Sequence, residues 1–586
     1  MSPYKGLFGV GLALLPVISG LSLLQPYLVQ VAIDRYISPG KMEGMGWVAA
    51  AFAGALVGAA ALQFAQGYAM QVAGQRALRD LRQALFDRLM GLRLSFFHKT
   101  PVGRLMTRLT SDVESLQDAL SSGLVTIVGD VLLLVAIVVI LLVKSVTLSI
   151  VTFAVVPVVV GVSILFRALM RKAFREVRGA IAKLNSFLQE RLSGMRVVQL
   201  MVKGEREVRE FEAINREHHQ ASMASMRYDA IFFAIVELVG SITTALLIWY
   251  GAGEVVQDAM TLGMLVSFVD YVEKFFAPLR DLSQKYAVLQ GAMASSERLV
   301  ELLDAPEVEE EAADAQPLTA FTGSIEFKGV WFAYQAEDWV LKDVSFTIRR
   351  GERVALVGHT GAGKSTIAQL LLRFYDPQRG QILLDGQDIK GIRRADLRAL
   401  FAMVLQDVFL YRGAILDNIT LGDARVTAAQ AQAAAASTQA TRFIDRLPQG
   451  FAHVLQERGA DLSAGERQLI SFARALARKP QVVILDEATA SVDTDTEHLI
   501  QEAIGALLDG QTSVVIAHRL STIRRCDQIF VMHRGELRER GDHVSLMAEK
   551  GLYWQLYQLQ AAEQGATHDG ASHAAAPPPF ALPSTS

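Results

Sequence analysis

The sequence predicts a two-part chain: a membrane α-helical domain of six long transmembrane helices, followed by an α/β P-loop nucleotide-binding domain. Three observations carry this. Long apolar runs, such as Leu124 to Val143 and Val146 to Leu165, crowd residues up to about 300 and alternate with strongly basic stretches. An apolar strand-like piece, Val354-Ala355-Leu356-Val357, leads into Gly358-His359-Thr360-Gly361-Ala362-Gly363-Lys364-Ser365-Thr366. A second apolar piece, Val482 to Leu485, ends in the paired carboxylates Asp486-Glu487.

Size and composition agree. At 586 residues the chain is too long for one core. Apolar residues make up 51% of it, and the mean hydropathy is +0.28, unusual for a soluble enzyme. The net charge of −3 gives no sign of nucleic-acid binding. A single cysteine, Cys526, excludes an intrachain disulfide framework and a cysteine-based zinc site. The first apolar run is too long for a cleavable signal and lacks a small-residue cleavage pattern, so it is expected to be a retained span.

Each apolar run approaches or exceeds the roughly 18–20 residues that cross a bilayer as helix. Spans are expected at Leu7 to Ile33, Trp47 to Met70, Leu120 to Val143, Val146 to Phe166, Ile231 to Tyr250 and Leu262 to Pro278. Between the second and third lies an arginine-rich connection, with Arg76, Arg79, Arg82, Arg88, Arg93, Arg104 and Arg108. Another basic connection runs from Arg167 to Arg216. The opposite connections are short and nearly free of positive charge. The positive-inside rule then places both long connections, both termini and the nucleotide-binding half in the cytoplasm, in a multi-pass protein of the cytoplasmic (inner) membrane.

Leu78, Leu81, Leu85 and Leu89 recur at helical spacing within the first basic connection. The membrane helices are therefore expected to continue past the bilayer as rods. They would turn over near Thr100 to Met106 and near Gly194 to Lys203. The membrane domain is placed at 1–303. An acidic, aperiodic linker follows at 304–323. The second domain is placed at 324–560, opening with strand-like pieces Ser324 to Phe327, Trp331 to Tyr334 and Val344 to Ile348. The tail, 561–586, is rich in Ala, Pro, Ser and His and reads as disordered.

Gly358, Gly361 and Gly363 let backbone N–H groups surround phosphates, and the helix opening at Lys364 adds its dipole and orphan donors. Lys364 is expected to reach the β- and γ-phosphates of ATP, and Ser365 to hold Mg²⁺, with Thr366 beside it. Asp486 would support the same Mg²⁺, and Glu487 would polarise the attacking water as general base. His518 closes another apolar strand, Val514 to Ala517, and would contact the γ-phosphate. Ser463 and Gly465, within Leu462-Ser463-Ala464-Gly465-Glu466-Arg467-Gln468, precede a helix and offer a hydroxyl and an N–H to a phosphate.

With these residues in hand, the chain resembles a half-transporter of the ATP-binding cassette (ABC) exporter family from about residue 1 to 560. The segment around Ser463 corresponds to that family's signature, usually Leu-Ser-Gly-Gly-Gln. The resemblance implies that Tyr334 stacks on adenine. It implies that Gln406 senses Mg²⁺, and that Asp493, in Ser491-Val492-Asp493, lies on the loop that crosses between paired domains. Glu457-Arg458-Gly459 resembles an exporter-specific segment, and Phe97 to Leu105 resembles the first coupling segment. It further implies that two ATPase domains pair head to tail, with each ATP held between one P-loop and the other signature.

Ala464 departs from the signature glycine, and its Cβ crowds a backbone meant to approach phosphate. Glu466 in place of glutamine is milder. With Glu487 and His518 intact, the pattern resembles one subunit of a heterodimeric exporter; a homodimer tolerating Ala464 is the alternative. Asp130, Glu237 and Asp270 fall within or beside spans, where carboxylates face a cavity or a partner. The expected activity is ATP hydrolysis coupled to export of amphipathic or hydrophobic compounds: drugs, lipids or peptides. A gated channel or regulator and a lipid flippase of the same architecture remain open. A soluble cassette ATPase acting on nucleic acid is disfavoured by the spans, and an importer by the fusion of spans to ATPase.

Overall fold

A computed structural model describes residues 4–568 apart from 120–122, 258, 310, 312–313, 319, 487–493 and 517–519. The chain divides into two compact units. One comprises Met1–Leu92 with Thr100–Pro306; the other comprises Arg93–Lys99 with the chain from Glu307 onward.

The first unit is helical throughout. Its long helices are Lys5–Ala32, Met45–Met90, Leu124–Lys144, Val156–Ser193, Gly204–Val256 and Leu262–Leu303. Among the described residues, five helical stretches are long and apolar enough to cross a membrane. Leu262–Leu303, the expected sixth, is 42 residues long. Asp270, Glu273 and Lys274 interrupt its apolar run, which is why it falls short of the other five. The helices Met45–Met90 and Gly204–Val256 have 46 and 53 residues. At 1.5 Å per residue they measure roughly 70 and 80 Å, far beyond a hydrocarbon core of about 30 Å. The rods expected from the basic connections are therefore present.

The turns between rods follow local chemistry. Ser145 Oγ accepts from Leu148 N at 3.3 Å and caps the helix Val146–Phe153. Thr261 Oγ1 accepts from Met264 N at 3.2 Å and caps Leu262–Leu303. At the same end, Asp34 accepts from Thr261 Oγ1 at 2.7 Å and from Gly263 N at 2.8 Å. Lys144 bonds Gln30 and Ser267 and sits over the rings of Tyr27 and Tyr271. At the opposite end, the short helix Met195–Leu200 joins two rods, and Val202 takes a left-handed φ of 52° to make the corner.

The second unit is α/β. Its main sheet has six strands in the order Glu536–Gly541, Gln528–His533, Arg353–Val357, Thr512–Ile516, Val482–Asp486 and Phe401–Val404. All neighbours are parallel except the edge pair Gln528–His533 with Glu536–Gly541. Val354–Leu356 and Val482–Leu485 are fully buried, as befits parallel strands covered on both faces. A second, antiparallel sheet runs Trp339–Arg349, Ser324–Ala333, Arg379–Leu384, Gln387–Asp388. Its first two strands are longer than the short pieces expected, because a bulged register lets pairing continue to Ala333 and Trp339.

The acidic stretch before Ser324 is docked. Glu309 pairs with Arg398 at 2.7 Å, Glu311 accepts from Arg394 N at 2.8 Å, and Phe321 is buried. The last helix, Leu552–His568, runs past Gln560; the tail beyond it lies outside the described residues.

Candidate functional site: the phosphate loop and its surroundings

The parallel strands Arg353–Val357 and Val482–Asp486 flank Thr512–Ile516, with Leu356 and Asp486 both level with Ile516. Everything that follows these strands is delivered to one edge of the sheet, where ligands bind in such folds. The loop after Val357 turns through Gly358, Gly361 and Gly363, at φ of 150°, 82° and 98°. A Cβ on Gly358 would lie 2.2 Å from Met532 O, and one on Gly363 would lie 2.5 Å from Leu341 Cδ2. Glycine is thus required at both positions by conformation, and at Gly358 also by space, because the clashing atom there is backbone.

Lys364 begins the helix Lys364–Leu371 and is 5% exposed. Its Nζ donates to Gly358 O at 2.6 Å and to His359 O at 3.0 Å. Burial lowers its pKa from the ordinary lysine value, and Asp486 opposes that shift. The ammonium is held by the loop's own carbonyls. Ser365 Oγ donates to Asp486 Oδ2 at 3.4 Å. A hydroxyl and a carboxylate so placed fit Mg²⁺, which prefers oxygen ligands and takes few of them from protein when phosphates supply the rest.

Tyr334 lies just past the strand Ser324–Ala333. Its hydroxyl bonds Thr366 Oγ1 at 3.1 Å and Gln369 Oε1 at 2.9 Å. Its ring meets Tyr375 edge-on at 5.2 Å. Tyr334 is therefore beside the phosphate-loop helix, with its side chain exposed and partial desolvation raising its pKa. Gln406 is exposed on the loop after Phe401–Val404, the strand beside the one that ends in Asp486.

Ser463 is the N-cap of the helix Ala464–Ala477. Its Oγ accepts from Glu466 N at 3.2 Å, and Glu466 Oε2 accepts from Ser463 N at 2.8 Å. The departure at Glu466 therefore completes a capping box. Ala464 is exposed and Gly465 buried. Arg467 Nη1 donates to Leu462 O at 2.6 Å and holds the preceding turn. Glu487, His518 and Asp493 lie outside the described residues.

Three groups here gave no sequence signal of their own. Arg474 reaches back to Asn418 O at 2.8 Å and Phe409 O at 3.0 Å, tying the signature helix to the loop that carries Gln406. Gln369 and Tyr375 hold Tyr334. Hydrophobic periodicity does not mark such side-chain contacts. In the first unit, Asp130 pairs with Lys285. Glu237 lines a cavity of about 270 Å³ with Ser241, Thr244, Glu273 and Phe276.

Comparison with known proteins agrees with this anatomy. Residues 8–279 match the model of the ABC transporter transmembrane region, and residues 341–490 match the ABC transporter model. The chain is 37% identical to the probable multidrug resistance ABC transporter ATP-binding/permease protein YheH of Bacillus subtilis (strain 168), over 92% of this chain and 80% of that protein. It is 33% identical to an ATP-dependent lipid A-core flippase of Syntrophus aciditrophicus (strain SB), over 96% and 93%. Among solved structures, a bacterial Atm1-family ABC exporter with ATP bound superimposes with a TM-score of 0.78 at 30% identity, covering 94% of this chain and 98% of that one.

Proposed function

Because the chain belongs to the ABC transporter family and couples ATP hydrolysis to export, we propose that its cargo is amphipathic: a drug, a lipid or a peptide. One observation carries the reading. A single polypeptide holds an assembled phosphate loop, with Ser365 Oγ 3.4 Å from Asp486, and a separate unit of membrane-length helices. The names of the relatives, a multidrug transporter and a lipid flippase, support the cargo class.

In this reading Lys364 and the loop amides bind the ATP phosphates, and Tyr334 carries the adenine. Ser365, Asp486 and Gln406 hold Mg²⁺, which neutralises charge on the phosphates when bound. Glu487 accepts the proton of the attacking water, and His518 fixes the γ-phosphate. Ser463 and Gly465 serve the nucleotide of the other subunit, and Asp493 lies at the crossing between the two. ATP favours the closed dimer because it binds both halves at once, and hydrolysis releases that preference. The rods carry the change to the spans. The nucleotide-binding unit and both termini lie on the cytoplasmic face.

The partner is a different ABC subunit. Ala464 is the feature that favours this, since it leaves one composite site with a crowded signature, while this chain supplies a complete phosphate loop to the other. Two measurements test the reading. Vesicles containing the purified complex are expected to accumulate dyes or lipids only with hydrolysable ATP, and Glu487→Gln is expected to stop both hydrolysis and uptake. The chain expressed alone is expected to lack substrate-stimulated ATPase; a fully active dimer of one chain type overturns the heterodimer.

A further inference from the structure

The second unit includes seven residues that come, in sequence, from between the second and third spans: Arg93–Lys99. They are anchored at both ends. Arg93 N donates to Glu307 O at 2.8 Å, its Nε donates to Val308 O at 2.9 Å, and its guanidinium faces Asp376 at 3.7 Å. At the other end His98 Nδ1 and Tyr375 Oη are 2.7 Å apart, and the two rings stack at 6.2 Å with an interplanar angle of 26°. Tyr375 in turn packs its edge on Tyr334 at 5.2 Å and on Phe332 at 5.5 Å. Asp376, the next residue, is gripped by Arg373 at 3.2 Å.

The geometry points to Tyr375 as a positioning residue that carries occupancy of the adenine site to the segment Arg93–Lys99, through its hydrogen bond to His98. This rests on the reading of Tyr334 as the adenine platform. Tyr334 is held at its hydroxyl by the side chains of Thr366 and Gln369, and a base stacked on its ring would add a second restraint on the ring. Tyr375 touches the same ring by its edge, a geometry that penalises independent reorientation. Its hydroxyl ends on the His98 side chain of the segment. Adenine recognition and the placement of His98 thus share one aromatic side chain. Triphosphate bound at Lys364 and Ser365 reaches Tyr334 only at its hydroxyl, through the neighbouring Thr366, and leaves the ring face uncovered.

Amide hydrogen exchange of the purified complex, read over Arg93–Lys99, tests this. A saturating non-hydrolysable ATP analogue is expected to slow exchange roughly three- to tenfold, the range one net hydrogen bond supplies. Inorganic triphosphate is expected to leave it unchanged. Tyr375→Phe keeps the ring and removes only the hydroxyl, and His98→Phe puts a ring there that can neither donate nor accept, so each is expected to lose the protection, and the double variant to lose no more than either alone. Protection that survives in Tyr375→Phe, equal protection by triphosphate, additive losses, or no protection in the unaltered complex each overturns the proposal. Analogue affinity unchanged in Tyr334→Ala overturns it differently, by removing the adenine platform on which it rests.

Discussion

Ser365 Oγ and Asp486 Oδ2 meet at 3.4 Å although 121 residues separate them. Two parallel strands, one on each side of Thr512–Ile516, deliver them to the same sheet edge. Ser365→Ala and Asp486→Asn should therefore fail in the same way. Each is expected to lower ATPase activity by about two orders of magnitude, the scale for losing one preorganised contact to a reacting group. Each should also raise the Mg²⁺ concentration that gives half-maximal rate. A titration of ATPase against Mg²⁺, with chelator as the zero point, checks both effects.

Gly358 gives a sharper steric test. Its φ is 150°, and a Cβ there would sit 2.2 Å from a backbone oxygen, Met532 O. Neither atom can yield by rotating a side chain. Gly358→Ala is expected to abolish ATP binding and to destabilise the second unit by about 2 kcal/mol or more, combining backbone strain with overpacking. For a unit of this size that is a fall of roughly 4–8 °C in unfolding temperature. Thermal unfolding with and without nucleotide reads both outcomes.

The motifs were legible because each packs its chemistry into a short stretch. Gly358 to Ser365 and Val482 to Asp486 announce strand, turn and donor set within a few residues. The spans were legible by length. Contacts that cross the chain were not. No local pattern links Arg474 to Phe409, or Tyr375 to His98. The acidic stretch around Glu309 reads as a linker by composition, and nothing local shows that Arg398 and the backbone of Arg394 hold it. The apolar run opening at Leu262 predicts a span only to Pro278, and the helix continues to Leu303.

Asp112 links acid stability to one ion pair. Its carboxylate accepts from Arg298 Nε at 3.0 Å and from Ser295 Oγ at 3.1 Å. Hydrogen bonding from Arg298 holds its pKa below the ordinary value, against the opposing effect of burial. A carboxyl with a depressed folded pKa contributes stability that is complete above its unfolded pKa, near 4, and is lost as pH falls through the folded value. Unfolding in detergent is therefore expected to become pH-dependent below about pH 4, with Glu309 and Asp527 contributing in the same direction, and Asp112→Asn to reduce that dependence by its own share. At neutral pH the substitution should cost about 1–2 kcal/mol, modest because Arg298 is 46% exposed.

Arg474 offers a test of how the signature helix is tied to the Gln406 loop. Arg474→Ala removes the donor that satisfies Phe409 O and Asn418 O. Asn418 O is part-buried and Phe409 O is exposed to water, so losing that partner is expected to cost about 1 kcal/mol. Arg474→Lys should recover little, because a point-charge ammonium cannot reproduce the fork that spans both acceptors. The check is the unfolding temperature of the second unit together with the ATPase rate; equal values for arginine and lysine remove the argument.

Ala464 separates the two assemblies at the level of a single methyl group. It sits exposed at the first turn of the helix capped by Ser463 and Glu466, so Ala464→Gly leaves the capping box and the buried face of that helix in place. In a homodimer every nucleotide meets this signature, and removing the Cβ should raise the ATPase rate at both sites. In a heterodimer this signature serves only the partner's phosphate loop, while Glu487 of this chain works against the partner's signature. The rate of the complex is then expected to stay within about twofold, under 0.5 kcal/mol on the barrier, whereas affinity for nucleotide at the second site rises. Measuring ATPase and nucleotide occupancy in the same preparation gives both numbers; a several-fold gain in hydrolysis would place Ala464 at a working site and make the homodimer the assembly.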